Sequence, residues 1–136
     1  MVLQLQDGRR WLVTDLGNWT DKLGKVWLME IDSPTRVHLK PVLENLSLPH
    51  TIALGPDGKI YVGEMNRIFN VDVNSWTVQT VIDGLPGNRL HPGRHPLSHF
   101  IFDMNGDLLV NVGADTDQMH RCPWRAPRDP VSRGGG

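Results

Sequence analysis

The sequence predicts an all-β chain with little or no helix, on three observations. Short apolar runs alternate with turn signals along most of its length. The turns are spelled in the dipeptides that favour tight hairpins, Asp7-Gly8, Asp57-Gly58 and Asn105-Gly106. Finally, the turn glycines Gly8, Gly58 and Gly106 recur at intervals of 50 and then 48 residues. Each supplies the positive φ that a tight turn demands, and the Asp or Asn before it can hydrogen-bond the local backbone.

In chain order, Leu3 to Gln6 and Arg10 to Thr14 make the first expected hairpin, followed by the polar loop Gly17 to Gly24. Lys25 to Asp32 alternates Val26, Leu28 and Glu30 with Trp27, Met29 and Ile31, which predicts a strand whose second face is substantially buried. After a turn at Ser33-Pro34, Arg36 to Leu43 gives a fourth strand, and Pro41 suits an edge position that needs no ladder donor. The second repeat keeps this order as Thr51 to Leu54, Ile60 to Glu64, Arg67 to Asp72 and Thr77 to Ile82. Of a third repeat only Phe100 to Phe102 and Leu108 to Val112 are expected as strands. From Ala114 the Pro-, Arg-, Asp- and Gly-rich sequence loses its alternation, and 114–136 is expected to be an irregular or disordered tail.

A period near 50 residues is the spacing of a four-stranded propeller blade. The expected fold is therefore a β-propeller fragment of about two and a half antiparallel blades, with repeats at about 3–43, 50–83 and 99–113. Such blades bury their faces only against neighbours, so a chain of this size is expected either to associate with further copies or to be a piece of a longer protein, the second being favoured. The Trp residues at 11, 27, 76 and 124 are expected mostly in the core, and Trp19 exposed in a loop.

Composition narrows the function classes. With 39% hydrophobic and 21% charged residues the balance is that of an ordinary globular domain. No apolar run approaches a membrane-spanning length, and the N-terminal MVLQLQDGRR lacks the pattern of a secretory signal. A net charge of −1 offers no basic field for nucleic acid. The single Cys122 excludes an internal disulfide and forms no CxxC pair.

The densest polar cluster, two Arg and three His between Arg89 and His99, precedes the third hairpin. The spacing of His91, His95 and His99 would make one zinc-binding face on a helix, but Pro92 and Pro96 argue against that helix, and loop histidines with structural hydrogen bonds are the favoured reading over a zinc site. Asp103, Asn105 and Asp107 lack the later Glu of a calcium loop and are explained as a polar turn. His50, after Pro49, is expected to be structural.

The segments LPHTIALGPDGKIYVGEMNRIFNVD and VIDGLPGNRLHPGRHPLSHFIFDMNGDLLVNVGADTDQ, with the opening RRWLVTDLGNWTDKLGKVWLMEID, resemble successive blades of the glucose/sorbosone dehydrogenase family, across about the first 118 residues. That family consists of six-bladed propellers that use pyrroloquinoline quinone (PQQ) to oxidise sugars. The resemblance implies that His95 is the general base and that Arg89 and Arg94 pair with the carboxylates of PQQ. It also implies calcium in the full-length family, although no calcium ligand is identifiable here, and a periplasmic or secreted location for such proteins. The family tends to carry an acidic residue directly after the glycine that closes the hairpin, whereas this chain has Ala114 there and Asp115 one place later. The expected activity is thus that of a fragment of a quinoprotein sugar dehydrogenase, inactive alone. The other expectation is a non-catalytic binding module that closes a ring by homo-oligomerisation.

Overall fold

The computed structural model describes residues 1–86 and 97–113. Among them there are ten strands and no helix. A first sheet joins β1 (Val2–Gln4), β2 (Arg10–Asp15), β3 (Gly24–Ser33) and β4 (Arg36–Leu46). The second joins β5 (Thr51–Leu54), β6 (Ile60–Gly63), β7 (Ile68–Val71) and β8 (Val78–Ile82). The third pairs β9 (Leu97–Phe102) with β10 (Leu108–Val112). Every pairing is antiparallel and between sequence neighbours, so the sheets are simple meanders.

The three hairpin turns fall where the sequence puts them, with φ of +70° at Gly8, +78° at Gly58 and +86° at Gly106. An aspartate oxygen caps each turn. Asp7 accepts from the amides of Arg9 and Arg10, and Asp57 from that of Lys59. In the third turn the cap is Asp103, not Asn105: it accepts from the amides of Asn105 and Asp107. These bonds stabilise the charged carboxylates, and Asp7, held first by the Arg10 amide and then by its guanidinium, is lowered to about 2.

The second sheet is the middle layer. Its face carrying Ile52, Ile60, Val62, Phe69 and Val71 packs on Leu5, Leu12, Val26, Leu28, Leu43 and Leu46 of the first sheet. Its other face, with Ala53, Tyr61, Ile68 and Ile82, receives Leu97, Phe100, Phe102, Leu108 and Val110 of the third. Tyr61 meets Phe102 edge-to-face at 4.8 Å between ring centroids. Close approach here depends on Gly63, because a Cβ on it would lie 2.3 Å from Thr51 Cγ2 and 2.7 Å from Leu97 Cδ2.

Several expectations are corrected. On β3 the core face is Val26 and Leu28, while Trp27 and Met29 are half-buried and Ile31 is exposed, because the second sheet packs on the Val26 side. Trp11 and Trp27 are half-buried outside the core, Trp76 is half-buried against its edge, and Trp19 is exposed as expected. Strand β4 continues past Leu43, since Leu46 still pairs with Gly24, and Pro41 does lie on an edge strand. Strand β9 begins at Leu97, not Phe100, because the Leu97 amide is fixed by the Met65 carbonyl at 3.2 Å. The sheets therefore span residues 2–46, 51–82 and 97–112. Cys122, Trp124 and the expected tail 114–136 lie outside the described residues.

Candidate functional site at one end of the sheets

Strands β5 and β9 begin, and β2 and β6 end, at the end of the molecule opposite the hairpin turns. His50 and His99 are both there. His99, the third residue of β9 and so not at its start, places Nδ1 3.2 Å from the hydroxyl of buried Thr51. His50 donates from its backbone amide to the Gly63 carbonyl at 3.1 Å. Its ring Nδ1 lies 2.8 Å from the Leu48 carbonyl, which can only accept, so Nδ1 is the donor of that bond. The ring Nε2 is shielded from solvent and has no hydrogen-bond partner among the described residues. Leu48 itself sits at φ +53°, a left-handed conformation costly for a leucine, immediately before Pro49.

Beside the histidines runs a polar chain across three loops. Glu64, only 2% exposed, accepts from the Ser47 amide at 2.8 Å and from Arg67 Nε at 2.7 Å. Ser47 Oγ donates to Asp21 at 2.6 Å, and the Arg67 guanidinium stacks 5.0 Å above the Phe69 ring. A buried carboxylate is tolerable only with such partners. The 64–67 turn also anchors what flanks it: the Leu85 amide donates to the Asn66 carbonyl and that of Leu97 to the Met65 carbonyl.

Arg89, Arg94 and His95, the residues singled out from the sequence, lie outside the described residues, as does His91. Their described flanks, Leu85 and Leu97, are brought together on the 64–67 turn. The Glu64–Arg67–Ser47–Asp21 network was not foreseen. Its one signal in the sequence is an acidic residue directly after the Val62-Gly63 pair, the pattern that fails at Ala114. Among the described residues no group of three or more His, Cys, Asp or Glu is placed to hold a metal ion. Asp103 spends its oxygens on the turn, in keeping with its assignment as turn residue. A cleft of 340 Å³ between the first two sheets, lined by Leu3, Asp7, Arg10, Leu54 and Ile60, lies at the hairpin-turn end, away from both histidines.

No protein-family model matches the chain, and neither does any curated protein or solved structure.

Proposed function

We propose that the chain is part of a β-propeller oxidoreductase of the quinoprotein sugar dehydrogenase type, in which a sugar hydroxyl is oxidised with hydride transfer to PQQ. The observation that carries this is that His50, just before β5, and His99, the third residue of β9, converge on one end of three stacked antiparallel sheets, with both flanks of 87–96 bonded to the same turn. Segment 87–96 holds His95, Arg89 and Arg94. In this proposal His95 removes the hydroxyl proton as hydride leaves the carbon, work suited to an imidazole. PQQ, when bound, supplies the hydride acceptor. Its carboxylates fall to Arg89 and Arg94, while Arg67 and Lys25, described cations at this end, are committed to Glu64 and Glu44.

Isothermal titration of the chain with PQQ, with and without calcium, tests the assignment. Weak saturable binding, lowered at least tenfold by replacing Arg89 and Arg94 with alanine, is expected; heat-silent titrations or an indifferent double variant would sink it. In a sugar-oxidising form of the protein, His95→Ala should lower turnover by about two to four orders of magnitude. His99→Ala should act on stability instead, through the lost Thr51 bond.

A further inference from the structure

The registers of the first two sheets superimpose residue for residue. Val13 pairs with Trp27 and Trp11 with Met29, as Val62 pairs with Phe69 and Ile60 with Val71. The face of the first sheet bearing Trp11, Val13, Trp27 and Met29 is thus the counterpart of the second-sheet face that is buried against the first sheet. The correspondence extends to charge. Where Glu64 and Arg67 pair beside Phe69, Asp15 and Lys25 are register partners beside Trp27, with Lys25 Nζ bonded to Glu44 at 2.8 Å. Lys25 Nζ lies 5.4 Å from the Trp27 ring as the Arg67 guanidinium lies 5.0 Å from that of Phe69. Asp15 accepts from the Trp27 indole at 3.2 Å. In the second sheet this acid, cation and aromatic are covered by the first sheet and its outgoing linker; on the first sheet no described sheet packs over them, and Leu39 and Val37, farther along the same face, are 61% and 49% exposed.

The third sheet holds the other half of the same interface. Its outward face, Ile101 and Leu109 with His99 and Asn111, occupies the positions that Leu3 and Leu12 occupy on the first sheet, where they receive the second. Ile101 and Leu109 are 50% and 51% exposed and, with His99 and Asn111, border a 280 Å³ groove. One chain therefore displays, at its two extremes, the two complementary surfaces of an interface it already forms internally. We propose that the outer face of the first sheet binds the outer face of the third sheet of a second copy, head to tail, with Trp27 of one copy in the groove between Ile101 and Leu109 of the next. The contact is heterologous, so copies add head to tail until the rotation closes a ring or, where it does not close, a filament grows. It does not depend on any bound quinone or on oxidoreductase activity.

Sedimentation velocity of the full chain across a range of concentrations is the test, without PQQ. Wild type should self-associate as concentration rises. Trp27→Glu and Leu109→Lys should each weaken association at least tenfold, while an equimolar mixture of the two, each keeping one intact face, should form a 1:1 pair and stop there. Circular dichroism and urea midpoints establish that the variants fold; should Trp27→Glu not fold, Leu39→Lys replaces it. A wild type that stays monomeric overturns the proposal, as does association indifferent to Leu109→Lys or a mixture that fails to pair.

Discussion

Among the described residues, eleven hydrophobic side chains are buried between the first and second sheets, from Leu5 to Val71, whereas between the second and third only Ile68, Leu97 and Phe100 are, with Tyr61, Phe102, Leu108 and Val110 half-exposed around them. The side chains are equally apolar on both sides of the middle sheet. What differs is coverage: the first sheet presents four strands to the second, the third only two, and β8 remains exposed along most of its length. Burial in a stack of sheets is set by the smaller partner, so the second interface should be the weaker and the first to open.

The sharpest way to break that comparison is to empty each interface by one ring. Phe69→Ala should cost about 3–5 kcal/mol in urea unfolding, and Phe100→Ala less, since its half-exposed neighbours can settle into the space. Equal losses would mean that the two interfaces are equally cohesive. Next, Gly63→Ala pushes a methyl into Thr51 and Leu97 and should cost about 1–3 kcal/mol. Hydrogen exchange should place the damage in β9 and β10 while β2 and β3 keep their protection; uniform loss would contradict a separable third sheet. A smaller effect, about 1 kcal/mol, is expected for Glu64→Gln, because Arg67, whose side chain is 29% exposed, can turn to water. An unchanged urea midpoint would show that the network adds nothing to the join.

Acid gives the smallest effect, and it is local to the turns. The folded-state pKa of Asp7, about 2, lies below its ordinary 3.8. Its contribution is thus complete above about pH 4 and is lost as pH falls towards 2. Asp72 and Asp103 are lowered too, mainly by the amides of Asn74 and Asp107 respectively, and act with the same sign. Replacing Asp7 by Asn should flatten the fall in stability over that window; an unaltered slope would remove Asp7 from the acid response.

The turns were legible because their chemistry is local: a glycine at positive φ and an aspartate two to four residues before the amides it caps need no distant partner. Strand order followed from the turns. Which face of β3 is core was not legible, since both faces are apolar and only the position of the second sheet favours Val26 over Trp27. The start of β9 was hidden for a similar reason. Leu97, Ser98 and His99 carry no alternation, and a bond from Met65, far away in sequence, fixes the strand there. In the candidate site, Glu64 and Arg67 are near neighbours, but their link through Ser47 to Asp21 exists only after three loops meet.

The meander order of the sheets has a consequence in time. Because each strand pairs only with its neighbour in sequence, the first sheet can be completed before the second has been synthesised, and the second before the third. While the chain is being made, its growing end always finds a finished surface to condense on. A ribosome-bound chain exposed only as far as residue 50 should already pair β2 with β3, and protection of the β3 amides in such arrested chains would register it; if β3 became protected only after β7 had emerged, the first sheet would need the second as its template.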